Sequence, residues 1–149
     1  MKKFTAVGAL LCICAAFCLM VARPAGAVTY SVAQNAPSTL AIAATGTTGT
    51  VTATLPAAAG KFTYIEGFTI SSTGSTAAAS VNVTVTGTTN TLNYAYLTVA
   101  GATTLNTTLD IRFPSPIPSS AVNTTVVVTL PALGAGCTNA NVAAYGFSQ

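Results

Sequence analysis

The chain has 149 residues, of which 51% are hydrophobic, and it contains five basic and two acidic residues but no His and no Trp. The formal net charge is +3, yet Lys2, Lys3 and Arg23 all precede residue 28, so residues 28–149 hold two positive and two negative side chains. So few charged groups argue against acid–base catalysis, against a metal site built from side chains, and against nucleic-acid binding, which needs a basic surface.

Residues 1–27 have the pattern of an export signal. Lys2 and Lys3 are followed by an uncharged apolar stretch, 4–22, and the segment closes in Ala25-Gly26-Ala27. Small residues at these two alanine positions suit signal peptidase, so we predict a signal helix that is cleaved after Ala27. An uncleaved anchor is the alternative, because an apolar stretch of about 19 residues can span a bilayer. Either way the protein is expected to be exported, to the periplasm, the cell surface or the medium, with membrane contact only through this segment.

Residues 28–149 are predicted to form one all-β domain. Thr, Ala and Val dominate this part of the chain, and the long-side-chain helix formers are nearly absent. Turn-like Gly, Pro, Ser and Asn clusters separate about nine short segments, a spacing typical of a single antiparallel β-sandwich, either jelly-roll-like or immunoglobulin-like. The predicted strands lie near 28–34, 38–43, 50–55, 61–71, 78–86, 92–99, 105–113, 123–130 and 141–148.

Alternation of apolar and polar residues predicts which side chains share a face. The sets are Phe62, Tyr64, Phe68 and Ile70; Val81, Val83 and Val85; Leu109, Ile111 and Phe113; and Val126, Val128 and Leu130. Val127 makes the last of these strands apolar on both sides, which predicts a central strand or one buried in an interface.

Glu66 is the least expected residue in this pattern, because it falls on the same predicted face as Phe68 and Ile70. A carboxylate on an apolar face has to be paired or to lie at a rim. Lys61 and Arg112 are the basic residues available to it within 28–149. We therefore predict structural ion pairing of Glu66 with Lys61 or Arg112, and no catalytic role.

Recognition of a ligand has one candidate pair in the sequence. Tyr94 and Tyr96 lie on one face of a predicted strand, where they form either part of the core or, if exposed, a small aromatic platform for carbohydrate or protein. Cys137 is the remaining cysteine after Ala27, so it has no intramolecular disulfide partner there; a buried small residue and an intermolecular disulfide are the two readings. No cofactor motif is present, and none is expected.

Two longer patterns concern the architecture. Phe113-Pro-Ser-Pro-Ile-Pro118 removes three backbone donors, which predicts an edge strand or a crossing connection, and of the two we favour a rigid connection between the sheets. The segment 50–57, Thr-Val-Thr-Ala-Thr-Leu-Pro-Ala, is echoed by 125–132, Thr-Val-Val-Val-Thr-Leu-Pro-Ala. We interpret the echo as one local device used twice, with duplication of half the sandwich as the alternative.

Several of these segments together resemble a known group of proteins. Gly67-Phe-Thr-Ile, Val81-Asn-Val-Thr-Val-Thr-Gly87, the proline run, Asn123 to Pro131 and Gly134-Ala-Gly-Cys-Thr-Asn139 are similar to small β-proteins of tailed-phage and prophage structural modules. The resemblance implies a role on the virion surface or in assembly. Combined with the sparse chemistry, it leads us to expect a non-catalytic structural or surface protein that acts by self-association, as a homo-oligomer or with assembly partners. A carbohydrate- or protein-binding module is the alternative.

Overall fold

The computed structural model describes residues 38–149. The predicted signal segment 1–27 and the first predicted strand, 28–34, lie outside the described residues. Within 38–149 the regular structure consists of eight β-strands: β1 Ser38–Gly46, β2 Val51–Leu55, β3 Thr63–Thr73, β4 Ala79–Thr86, β5 Leu92–Thr98, β6 Leu109–Pro118, β7 Val126–Leu130 and β8 Asn139–Ser148. Each overlaps one of the remaining predicted segments, and the all-β prediction is confirmed for this part of the chain. The largest difference is in β6, which ends at Pro118 and not at the predicted residue 113.

The strands form two antiparallel sheets of four strands each. Sheet I has the order β1-β8-β3-β6, and sheet II has the order β2-β7-β4-β5. The pairs β1–β8, β2–β7, β3–β6 and β4–β5 nest inside one another along the chain, as if a single long hairpin had been rolled up. The consequence is that strands adjacent in sequence often lie in opposite sheets, so the chain crosses the core repeatedly.

A shared hydrophobic core joins the two sheets into a sandwich-like fold. Sheet I contributes Ile65, Phe68, Ile70, Val142 and Ala144, and sheet II contributes Val51, Ala53, Leu55, Val83, Val85, Tyr96, Val126, Val128 and Leu130. The largest of these side chains are fully buried. Burying an aliphatic or aromatic side chain stabilises the fold by about 1.5–3 kcal/mol, so these residues supply the main favourable contribution to folding.

Alternation predicted the faces of three strands correctly. Val83 and Val85 are buried, Val126, Val128 and Leu130 are buried, and Leu109, Ile111 and Phe113 pack against the core while the residues between them are exposed. The β7 strand lies between β2 and β4, as expected of a central strand, and Val127 is half-buried on its outer side.

The predicted face of β3 is wrong, and a β-bulge is the reason. Ile65 pairs with Gly146 and Gly67 with Tyr145, so Glu66 is an extra residue with no counterpart in β8. The insertion reverses the alternation: Tyr64 faces outward before the bulge, whereas Phe68 faces the core after it. A bulge of this kind leaves one residue unpaired and bends the strand. Phe62 and Tyr64 therefore do not share a face with Phe68 and Ile70.

The proline run lies within β6, at an edge of sheet I, so the edge-strand alternative is the one formed and the favoured connection between the sheets is wrong. On the β6 side, the four residues 113–116 stand opposite Glu66, between the pairs Gly67–Arg112 and Ile65–Ile117. Pro lacks the backbone donor that a ladder needs, so this stretch bows away from β3 before pairing resumes.

The sequence echo has a structural counterpart. Its two copies form β2 and β7, which pair with each other from Val51–Leu130 to Leu55–Val126. The central pair is Ala53 with Val128, which occupy the same position in the two copies and are the middle residues of β2 and β7, so the two copies are related by a local twofold axis through that pair. The repeated sequence thus places equivalent apolar side chains symmetrically in the core.

Candidate functional site

The charged side chains of β6 lie on the outer face of sheet I beside a tyrosine of β8. Gly67 of β3 pairs with Arg112 on one side and with Tyr145 on the other, so these three residues form a row across the sheet. Because Gly67 has no side chain, Arg112 reaches across it, and its Cζ atom lies 3.8 Å from the centroid of the Tyr145 ring. This is within the range of a favourable cation–π contact.

Asp110 is the acceptor that holds this group together. Its Oδ1 atom accepts hydrogen bonds from the Thr69 hydroxyl at 3.0 Å and from the Tyr145 hydroxyl at 3.1 Å, and it lies 3.2 Å from Nε of Arg112. The Tyr145 hydroxyl is also 3.3 Å from the carbonyl oxygen of Ile111, so its one proton is shared between two acceptors. We call Thr69, Asp110, Arg112 and Tyr145 the Asp110 cluster.

Within the Asp110 cluster, the pKa of Asp110 is lowered and the pKa of Tyr145 is raised. The Thr69 hydroxyl lowers the pKa of Asp110 most, and Tyr145 and Arg112 add to that lowering. Partial burial raises the pKa of Tyr145, and its hydrogen bond to the Asp110 carboxylate raises it further. Asp110 is therefore held ionised and Tyr145 protonated at neutral pH, a stable pairing in which neither group is poised to transfer a proton.

The predicted ion pairing of Glu66 does not occur. Arg112 forms its ion pair with Asp110, and this is the one salt bridge recorded among residues 38–149. Glu66 is exposed at the bulge, where water solvates its carboxylate, so the burial that made a partner necessary in the prediction is absent. The contact that Lys61 makes here involves its backbone, because its carbonyl accepts a hydrogen bond from the amide of Asn123.

Tyr94 and Tyr96 do share a face, but it is the face turned toward the core. Tyr96 is 1% exposed, and its hydroxyl lies 2.9 Å from that of Ser72. Tyr94 is half-buried and packs edge-on against Phe68, with ring centroids 5.2 Å apart. Burial raises the pKa of both tyrosines. The exposed aromatic platform considered from the sequence is therefore not formed by this pair.

Aromatic rings do reach the outer surface of sheet I, where the sequence patterns did not place them. Tyr64 of β3 pairs with Phe147 of β8, and their rings stack with centroids 4.9 Å apart and an interplanar angle of 12°. Tyr145 precedes Phe147 by two residues on the same face. Outward alternation in β8 signals both residues, but the position of Tyr145 beside Arg112 and of Phe147 beside Tyr64 depends on the strand order, which the sequence does not show.

Two further polar groups, the Cys137 thiol and the Asn106 amide, are occupied in structural roles. Cys137 is buried, and its thiol lies 3.5 Å from the carbonyl of Asn139, a position that favours the small-buried-residue reading. Asn106 is also buried; its amide donates to Ser72 and Gly74, and its oxygen accepts from the amide of Val99. Among the described residues there is no group of three or more His, Cys, Asp or Glu side chains placed to hold a metal ion.

A second type of candidate site is formed by apolar side chains that remain in solvent. Leu97 at the end of β5 is 67% exposed, Val99 is 49% exposed, and Leu105 in the following loop is 71% exposed. Val99 and Leu105 are held near each other because Asn106, next to Leu105, accepts a hydrogen bond from the Val99 amide. We call these three residues the β5 apolar patch.

These features define an all-β protein with two four-stranded antiparallel sheets, a small charged cluster on one outer face, and exposed apolar residues elsewhere. No protein-family model matches the chain, and no curated protein is significantly similar to it. Within residues 38–149 no helix has the length and apolar character required to cross a membrane.

Proposed function

We propose that this protein is a non-catalytic exported structural protein that acts by self-association or assembly, as a cell-surface or virion-like component. The observation that carries the proposal is the exposure of large apolar side chains on a surface with almost no charge. Leu97 and Leu105 are each about two-thirds exposed or more, and Val122 is 42% exposed. Apolar groups of this size in solvent are typical of surfaces that bind other proteins.

The charge distribution removes the usual obstacle to association. Residues 28–149 carry two positive and two negative side chains, and Asp110 and Arg112 neutralise each other locally. Copies of a neutral protein do not repel one another, whereas a net charge keeps proteins apart. The remaining pair, Lys61 and Glu66, is too small to create a long-range field at physiological ionic strength.

The nested strand pairing supports a jelly-roll fold over an immunoglobulin-like one. In the immunoglobulin order the first two strands are neighbours in one sheet, whereas here β1 lies in sheet I and β2 in sheet II. Eight strands arranged in this way are found in capsid proteins and lectins. Because one fold serves many functions, this is support by analogy, and it agrees with the resemblance to phage structural modules.

Export through a cleaved segment 1–27 completes the proposal. The mature protein then begins at Val28 and includes the whole described domain. Mass spectrometry of the protein recovered outside the cytoplasm tests this point: an N-terminus at Val28 supports it, and an intact N-terminus in the membrane fraction favours the anchor.

Light scattering of the purified protein over a concentration series tests self-association. We expect a mass that is a multiple of the monomer at tens of micromolar and that decreases on dilution. A monomer at every concentration would exclude self-association. Assembly with a different protein would then be the remaining form of the proposal.

Carbohydrate binding is the second candidate, because the outer face of sheet I combines aromatic rings with an ion pair. Asp110 uses Oδ1 for all three of its recorded contacts, which leaves Oδ2 to accept from sugar hydroxyls beside the Arg112 guanidinium. Glycan-array binding that is lost in Arg112→Ala and retained in Tyr94→Phe would support this site. Binding unchanged by Arg112→Ala would exclude it.

A further inference from the structure

The outer edge of β1 is the longest uninterrupted sheet edge in the described domain. All nine residues of β1, Ser38–Gly46, pair with β8 in one register without a bulge. Within residues 38–149 no strand pairs with the opposite side of β1, since it is the first strand in the order of sheet I. An antiparallel ladder uses the backbone groups of alternate residues, so the other residues of β1 direct their N–H and C=O groups outward.

The other edge of sheet I, β6, is protected against pairing with another chain, whereas β1 is not. The β6 strand carries Pro114, Pro116 and Pro118 together with the Asp110–Arg112 pair, and it bows away from β3. Prolines, charges and bulges are the devices that stop edge strands from pairing with other chains. The sequence of β1, Ser-Thr-Leu-Ala-Ile-Ala-Ala-Thr-Gly, contains no proline and no charge. In sheet II the edges are shorter, five residues in β2 and seven in β5.

We infer that β1 pairs with β1 of a second copy of this chain, antiparallel across a twofold axis that passes through Ile42. This inference rests on the proposed self-association and names its contact. Ile42 is the middle residue of Ser38–Gly46, so only an axis through it lets all nine residues overlap. The two copies of sheet I then form one continuous eight-stranded sheet, and each copy retains the other edges of its own sandwich.

The side chains fit this register. Ala41 opposes Ala43 of the second copy, Leu40 opposes Ala44, and Thr39 opposes Thr45, so no large or charged groups face each other. Ala41 and Ala43 face outward, so Ile42 between them faces the core side of the sheet. Its side chain is nevertheless 37% exposed, because it lies at the open edge. Across the axis it meets Ile42 of the second copy, which removes apolar surface from water.

Charge substitutions on the outer face of β1 test the inference. In the double variant Ala41→Lys/Ala43→Lys, each Lys at 41 opposes a Lys at 43 of the second copy, and like charges directly opposed destabilise a strand pair. We expect the mass measured by light scattering to decrease to that of the monomer. Ala41→Glu/Ala43→Glu is expected to do the same, and an equimolar mixture of the two variants is expected to restore a dimer containing one of each.

Matched variants on the edges of sheet II complete the test. Thr52→Lys/Thr54→Lys on β2 introduces the same charges at exposed positions of an edge strand and serves as the control. Asn93→Lys/Ala95→Lys introduces them on β5 beside Leu97 and so tests the β5 apolar patch as the competing contact. If the copies associate through β1, both variants retain the wild-type mass. Circular dichroism and thermal unfolding of every variant verify that a lower mass is not caused by unfolding.

The outcomes separate this inference from the proposed function. A wild-type oligomer that persists in the β1 variants but dissociates in a control variant overturns the β1 contact and leaves self-association standing. A monomeric wild-type protein overturns both. Hydrogen exchange then shows whether the β1 edge is protected by the chain's own residues 28–34, the strand predicted just before it.

Discussion

Gly67 occupies a position where one additional side-chain atom would disturb several close contacts. A Cβ atom there would clash with the carbonyl oxygen of Ile111 and would lie 2.7 Å from Cε2 of Tyr145. The backbone of β6 and the ring of Tyr145 approach so closely only because residue 67 has no side chain. The Asp110 cluster therefore depends on a glycine that takes part in none of its hydrogen bonds.

We expect Gly67→Ala to lower the free energy of unfolding by about 1–3 kcal/mol, because the added methyl group overpacks a tight contact and its nearest neighbour is backbone. Urea denaturation measures the change. Gly49→Ala is the control, since a Cβ atom at Gly49 has no heavy atom within 4 Å. Equal stability of both variants would contradict the close approach at Gly67.

Asp110 gives a second prediction, which concerns pH. Its pKa is lowered in the folded protein, first by the hydrogen bond from Thr69, so its ionised form contributes stability that is fully present above the unfolded pKa of about 4. That contribution is lost as the pH falls through the lower folded pKa. The unfolding temperature of Asp110→Asn is therefore expected to be lower than that of wild type at pH 6, and the two temperatures are expected to converge near pH 2.

Glu66→Gln is the matched control for Asp110→Asn, because Glu66 is an exposed carboxylate on the neighbouring strand with no recorded ion pair. Its unfolding temperature is expected to follow wild type across the pH range. A difference from wild type at pH 6 as large as that of Asp110→Asn would mean that Glu66 has a partner that the structure does not show.

At the scale of elements, the loop between β5 and β6 is anchored by one buried amide. Asn106 is 1% exposed, and its side chain donates to the Ser72 hydroxyl at 2.8 Å and to the Gly74 carbonyl at 3.2 Å. Its oxygen accepts from the Val99 amide at 2.6 Å. The Ser72 hydroxyl in turn contacts Tyr96, so the anchor connects the loop to the end of β3 and to the core.

We expect Asn106→Ala to destabilise the protein by about 1–3 kcal/mol, because it removes the side-chain donor to two buried acceptors, the Gly74 carbonyl and the Ser72 hydroxyl. Chemical denaturation measures the loss. Asn82→Ala on the outer side of β4 is the control, since Asn82 is exposed and surface substitutions generally change stability by less than about 0.5 kcal/mol. A loss in Asn106→Ala no larger than that in Asn82→Ala would contradict the anchoring role.

The elements also show how far sequence reasoning extends. Alternation predicted the inward faces of β4, β6 and β7, because those strands keep period two wherever one side is buried. It failed in β3, where Glu66 is inserted: a bulge is fixed by the residues paired across β6 and β8, which are distant in sequence. Tyr94 and Tyr96 illustrate the same limit, since period two gives a shared face but not whether that face meets the core.

At the scale of the whole molecule, the position of each strand in its sheet decides what the surface can do. Arg112 and Tyr145 are 33 residues apart in the numbering, and they meet because β3 lies between β6 and β8. The same order leaves β1 and β6 as the two edges of sheet I, one of them uncharged and free of proline, the other interrupted by the proline run. The sequence offered an edge strand only as one of two alternatives for the prolines, and the open edge of β1 among residues 38–149 follows only from the topology.

Association of two copies through β1 is tested most directly by cysteine cross-linking of the otherwise intact chain. In Ile42→Cys the two introduced thiols meet across the axis, where opposed Cα atoms lie about 4.5–5.5 Å apart, a separation that a disulfide can bridge. In Thr45→Cys the matching thiols are roughly 20 Å apart, at about 3.4 Å per residue. We predict a dimer under mild oxidation for Ile42→Cys, with the disulfide assigned to residue 42 of both chains by peptide mapping, and none through residue 45. Equal cross-linking at both positions, or none at residue 42 in an associated protein, would contradict the claim.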